Sequence, residues 1–285
     1  MKTIIRLLLI VGLLSSEGCL RKVATDSARN SLPSWPRQHF QPTNAKALVW
    51  YQVYGHFPDT IEISLSKYRC AGVPAGVEVA NHARPSRDEL VTGFLSRPFF
   101  VAALKRELPQ LASTVESAPE CTIIRGEIPD SANLNYLRDV VGLVTWFFDN
   151  GAVAVLDPQT TAWYDRDKWR RQLFESNGVD PGRHVAVFYT EETGGAGTNA
   201  FWFRTRGMRK FARPDLSVHG VPAEKRDVVI DLLNRLVDAE AFGGVIADGQ
   251  FIKMPSLPQG LTCHSAGSLD DPEFNNIHIE IGWPK

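Results

Sequence analysis

The sequence predicts an α+β fold, a mostly antiparallel sheet with two or three long helices packed on it. Two observations carry this reading. Many short stretches alternate or run apolar with β-branched and aromatic residues, as LVWYQVY, CTIIRGEI, HVAVFYT, AFWFRTR and NIHIEIGW do. A few widely separated stretches instead carry apolar residues at helical spacing, interspersed among the strands. With 44% hydrophobic and 22% charged residues over 285 positions, there is enough apolar material for a substantial core.

The folded part is expected to start near Leu48, with strands at LVWYQVY and TIEISLSKY. Ser86 and Glu89 form a capping box ahead of Leu90, Val91, Phe94 and Leu95, so a helix should begin there, and Pro98 should kink or divide it. A strand follows at Cys121–Ile128. Leu134, Leu137, Val141, Val144 and Phe148 then make a helical stripe over 133–149, widened by Leu143, Trp146 and Phe147. Asn150-Gly151 should end that helix. AVAVLD reads as a short buried strand, and Trp163 to Phe174 as a short aromatic helix. Strands are expected at HVAVFYT, AFWFRTR and Leu216–Val218, and a helix from Pro222 to about Ala241 with Val229, Leu232, Leu233, Leu236 and Val237 inward. Asp248-Gly249 is a hairpin signal, and NIHIEIGW closes the chain as a strand.

The first residues read as a targeting segment (1–18). Lys2 and Arg6 precede Leu7–Leu14, an apolar run far shorter than the roughly 20 residues of a membrane-spanning helix. Ser16-Glu17-Gly18 precedes Cys19, which resembles a bacterial lipoprotein signal with Cys19 as the lipidation site. The expectation is an exported protein of the bacterial cell envelope, held to a membrane through lipid. Ordinary secretion and a retained apolar anchor are the alternatives. Residues 19–44 lack periodicity and are read as a tether, with a single α+β domain over 45–285. Export implies an oxidising compartment, and Cys70 and Cys121, at neighbouring strand ends, are the first guess for a disulfide.

Several motifs invite chemistry. Gly195-Ala-Gly197-Thr-Asn-Ala200 fits a dinucleotide turn, but the residues that follow, FWFRTR, alternate with period two, and the motif requires a helix there. A hairpin loop is expected instead. Ser64-Leu-Ser-Lys67 matches S-x-x-K, yet its surroundings read as a strand, which puts the two side chains on opposite faces. Cys263-His264 point apart in extended chain. His278 and Glu280 share a face of the last strand but lack a third metal ligand of recognisable spacing, so no metal or other cofactor is expected. Net charge is −1, which gives no field for nucleic acid. The densest basic cluster is Arg204, Arg206, Arg209, Lys210 and Arg213. Trp202, Arg204 and Arg206 share one strand face and are the candidate site for an anionic, protein or glycan partner.

The segments LVTWFFDNGAVAVLDPQTTAWYD and FWFRTRGMRKFARPDLSV resemble a family of bacterial α+β proteins without assigned activity, over residues 133 to 255. The resemblance implies a fold and carries no catalytic residue. The reading is therefore a non-catalytic binding or structural protein of the envelope. An envelope hydrolase or transferase would need Asp157, Glu191, Glu192 or His278 to converge, and an immunity-type protein would need an exposed patch complementary to a toxin.

Overall fold

The structure, a computed structural model, describes residues 23–25, 32–83, 89–193 and 199–284. Its strands are β1 (Val23–Thr25), β2 (Lys46–Gly55), β3 (Ile61–Ile63), β4 (Val77–Ala83), β5 (Glu120–Pro129), β6 (Ala152–Asp157), β7 (Ala162–Tyr164), β8 (Ala186–Thr193), β9 (Asn199–Arg206), β10 (Asp215–Pro222), β11 (Phe251–Ile252), β12 (Leu261–Ser268) and β13 (Asn276–Gly282). Its helices are α1 (Leu65–Tyr68), α2 (Glu89–Ser96), α3 (Pro98–Glu107), α4 (Ala112–Ser117), α5 (Asn135–Asp149), α6 (Arg166–Trp169) and α7 (Arg226–Ala241). The α+β class holds, with two main sheets rather than one.

The five-stranded sheet runs β4-β5-β2-β6-β7 and is antiparallel throughout. Its middle strand β2 is buried on both faces, and period two sorts its side chains. Val49, Tyr51 and Val53 join the large cluster with α5, while Tyr54 faces a second cluster built from Phe94, Phe100, Leu104 and Val115 of α2 to α4. The six-stranded sheet runs β11-β12-β13-β10-β9-β8, with only β10 and β13 parallel. The large cluster continues onto this sheet, where Phe203, Leu216, Val218 and Ile281 meet Val229, Leu233 and Val237 of α7.

Helix α5 is buried along nearly its whole length, as its wide apolar stripe required. It approaches the end of α1 so closely that a Cβ on Gly142 would lie 2.2 Å from the Tyr68 carbonyl oxygen. Pro98 does divide the preceding helical stretch into α2 and α3. The capping residue Ser86 lies outside the described residues, as does Cys19.

Several expectations are corrected. The strand at TIEISLSKY stops at Ile63, because the Ser64 hydroxyl accepts the Lys67 N–H at 3.4 Å and starts α1. Trp163 and Tyr164 belong to β7, and the helix begins only after Asp165 caps it; a π-helical turn, Arg170–Phe174, follows. Asp248-Gly249 makes a turn, but the residues before it form no strand, and β11 pairs with β12 instead.

Residues 32–44 are also not a loose tether. Trp35 is buried, and its N–H donates to Asn135 Oδ1 at 2.9 Å. Arg37 reaches Asp130 at 2.6 Å and the carbonyls of Ala241 and Phe211. Burying that guanidinium with its donors satisfied fastens the segment to both sheets.

The expected Cys70–Cys121 disulfide is not formed. Cys70 lies in the α5 cluster, whereas Cys121 points into the cluster on the opposite face of the five-stranded sheet. Alternation along β5 puts the sheet itself between the two sulfurs.

Candidate functional site

Trp202, Arg204 and Arg206 do share a face, the one turned away from α7. The strands bring His219 of β10, Glu192 of β8, and His278 and Glu280 of β13 to the same face. Their groups largely occupy one another. The His219 ring stacks on Trp202 at 4.7 Å and 11°, and the Arg204 guanidinium sits 4.1 Å from the indole centroid. Arg204 pairs with Glu273 at 3.2 Å. His219 Nδ1 lies 2.7 Å from Glu192 and its Nε2 3.9 Å from Glu280. The His278 ring stacks on Phe274 at 4.1 Å, and burial, acting with the His219 charge against Asp271 and Glu280, lowers its pKa. An indole covered by an imidazole and a guanidinium is a poor platform for a sugar. Sequence reasoning missed His219, Glu273 and Phe274, which lie on segments with no motif.

The other sequence candidates are dispersed. Asp157 is buried and pairs with Lys210 Nζ at 2.6 Å. Glu191 is exposed and alternates to the face opposite Glu192. Lys67 turns to Asp149 at 3.0 Å rather than to Ser64. Cys263 is buried and its thiol is pushed up to about 11 by burial, while His264 is exposed. Asp248, His264 and Ser265 are neighbours, but alternation along β12 sends the last two to opposite faces, so they form no triad. Among the described residues no group of three His, Cys, Asp or Glu could hold a metal ion. The glycine motif joins β8 to β9, an antiparallel hairpin registered from Ala186↔Arg206 to Thr193↔Asn199; Gly195 and Gly197 lie outside the described residues.

A concavity lies elsewhere on the molecule. A cavity of about 740 Å³ opens where the ends of β2 and β5 face β12, β13 and the end of α7. That volume is typical of a small-molecule site. Val245, Leu269 and Ile277 stand at its walls, 40%, 53% and 43% exposed. They are half of the six large apolar side chains that stay exposed among the described residues, so the apolar surface is concentrated at this opening. The cations beside it are engaged. Arg209 holds Glu127 at 3.0 Å and the Asn275 carbonyl at 3.1 Å. Arg213 holds Asp130 at 2.8 Å and the carbonyls of Gly243, Gly244 and Gln41.

Glu240, on the last turn of α7, is among the residues that line this cavity, but its side chain is buried at 1% exposure with both carboxyl oxygens closed off from solvent. Neither carboxyl oxygen makes a hydrogen bond of good geometry. Burial pushes its pKa well up; the Arg213 charge and the nearby Ile246 N–H oppose that shift, and Asp215 reinforces it. Burial therefore favours the neutral acid over the carboxylate at this position. The sequence carried a signal for it. Val229, Leu233 and Val237 mark the inward stripe of α7, and Glu240 is the next position on that stripe.

Compared with protein families, with curated proteins and with solved structures, the chain matches none of them.

Proposed function

We propose that this is an exported, lipid-anchored binding protein of the bacterial cell envelope, and that its ligand enters the apolar cleft between the two sheets. The carrying observation is the clustering of exposed Val245, Leu269 and Ile277 around a cavity whose cations are already paired. Apolar surface left in water at one opening favours a ligand that covers it. A binding role is supported by the burial of Asp157 in the core and the turning of Glu191 to the face opposite Glu192 and His278, which leaves the four no common site for a hydrolase. The membrane tie rests on the apolar run Leu7–Leu14 ahead of Cys19.

Nile red titration tests the cleft. Saturable binding should be lost in Ile277→Lys and kept in Trp202→Ala. Loss in Trp202→Ala alone would move the site to the outer face. Fatty-acid labelling tests the anchor: label should vanish in Cys19→Ala, and equal label in both proteins would remove lipidation from the reading.

A further inference from the structure

We infer that Arg206, with Arg204 beside it, forms a second binding site on the outer face of the six-stranded sheet, and that this site takes a carboxylate. Arg206 is not among the residues that line the apolar cleft, so the two sites stand independently.

Five basic side chains fall between 204 and 213, and four of them have an acidic partner. Arg204 pairs with Glu273, Arg209 with Glu127, Lys210 with Asp157 and Arg213 with Asp130. Arg206 makes neither an ion pair nor a side-chain hydrogen bond among the described residues. It is half-buried, and its Nε is closed off from solvent without an acceptor. Its two Nη groups are not closed off, so an incoming acceptor can reach them. Arg206 stands opposite Ala186 of β8, whose methyl group is too short to cover a guanidinium, and β8 is the edge of the sheet. A guanidinium that has lost part of its hydration gains more from a carboxylate than one fully in water does. The charges acting on Arg206 are Asp215, Arg204, Glu273 and Asp157. Asp157 is spent on Lys210 and Glu273 on Arg204. Asp215 is buried, its Oδ1 held by the Thr205 hydroxyl at 3.0 Å and the Met208 N–H at 3.2 Å, and its Oδ2 by Asn276 at 2.9 Å. Glu273 shows which anion suits this face: its carboxylate, 52% exposed, lies 3.2 Å from Arg204 Nη2. Alternation along β9 sets Arg204 and Arg206 about 7 Å apart on one face. A ligand carboxylate entering between them would give Arg206 its first partner and compete with Glu273 for Arg204. A doubly charged phosphate is disfavoured, because Glu273 and Asp215 already offset the two guanidinium charges. Ala186 and Phe188, the latter opposite Arg204 with its ring 6.0 Å from that guanidinium, give the body of the ligand an apolar floor.

The probes are N-acetylphenylalanine, its primary amide, phenyl phosphate, and the peptide acetyl-Gly-Gly-Phe with a free C-terminus. Binding is read by NMR from the arginine Nε–Hε resonances of the full chain, assigned with Arg204→Lys and Arg206→Lys. N-acetylphenylalanine should shift the Arg206 resonance saturably, with a dissociation constant on the order of 1 mM, and the uncharged amide should not. Phenyl phosphate should bind more weakly than the acid. Arg206→Gln should weaken the acid at least about tenfold, the worth of one charge-assisted hydrogen bond. Glu273→Gln should tighten it severalfold by releasing Arg204, an effect that a purely structural arginine would not produce. Tighter binding of the peptide than of N-acetylphenylalanine would support the site with a polypeptide C-terminus as the source, and equal or weaker binding would support it with a small acid. Phenyl phosphate binding tightest would overturn the carboxylate assignment, and so would equal binding of acid and amide. If no probe moves Arg206 in folded wild type or in Glu273→Gln, Arg206 holds no ligand and the inference fails. The amide and Glu273→Gln arms decide the matter even if Arg206→Gln does not fold.

Discussion

Lys210 Nζ lies 2.6 Å from Asp157 Oδ2, and both side chains are buried, 0% and 2% exposed. In the sequence this lysine belongs to the densest basic cluster. It follows β9 in a short 3-10 turn, Met208–Phe211, that folds back under the sheet. Its ammonium also donates to the His184 carbonyl at 2.8 Å, and Asp157 accepts the N–H of Gln159 at 3.0 Å. The pair therefore ties three separate stretches of chain together. Removing one partner leaves a buried charge alone, which costs about 3–5 kcal/mol. Lys210→Met should lower urea-unfolding stability by that amount, and Asp157→Asn by a comparable one. The double variant should lose clearly less than the sum of the two. Additive losses would mean that the two charges do not depend on each other.

Asp149 closes α5 with three cations around it. Arg166 and Arg170 reach Oδ1 at 2.7 and 2.8 Å, and Lys67 reaches Oδ2 at 3.0 Å. Burial pushes this carboxyl up, but hydrogen bonds from Arg170 and Lys67 outweigh it and hold the pKa at about 2. A carboxylate depressed on folding stabilises above its ordinary value near 3.8, and that stability is lost as pH falls toward 2. The shift corresponds to about 2 kcal/mol at neutral pH. Urea unfolding of wild type and Asp149→Asn should differ by that order at pH 6 and converge by pH 2. A gap that persists undiminished at pH 2 would rule out this carboxylate as its source.

These two charged sites show what was legible in the sequence. Helix α5 could be read because its stripe repeats over four turns, and β2 because its apolar residues are continuous. The hairpin of β8 and β9 could be read because parity after the glycines is a local property. Lys210 could not, since nothing in MRKF announces which side chain will turn inward. Trp35 and Arg37 were missed for a similar reason: each is a single anchor in a segment without period, and its partners lie about 95 to 205 residues away by the spacing of the bonds they make. Strand alternation put Trp202, Arg204 and Arg206 on one face. It could not show that His219 and Glu273 would fill that face. The cleft is made by chain ends meeting in space, and only Glu240 on the inward stripe of α7 hinted at it.

Cysteine chemistry gives a further check. Burial pushes the Cys70 thiol up to about 12, with Asp139 adding to the shift, and Cys263 up to about 11. Thiolate is the reactive form, so both thiols should be inert in the folded protein. In a Cys19→Ala background, native protein should titrate with almost no Ellman's reagent, and guanidinium should release Cys70, Cys121 and Cys263 together. The melting temperature should not change with dithiothreitol. A fall of several degrees on reduction would reveal a bridge that the two opposed clusters do not allow.

Glu240 makes a prediction about folding stability. Its folded pKa stands well above the usual carboxyl value of 4.5 because burial disfavours the charge. The sign is opposite to that of Asp149. Below the unfolded pKa both states hold the proton and the group contributes no pH dependence. As pH rises past that value, the unfolded chain releases its proton while the folded protein keeps it. Stability then declines by about 1.4 kcal/mol per pH unit until the folded group ionises too. Glu240→Gln has no proton to release, so its stability should not follow that decline. The difference between wild type and Glu240→Gln, measured by urea unfolding from pH 4 to 8, should open steadily above pH 4.5. A flat difference across that range would mean that Glu240 is ionised in the folded protein.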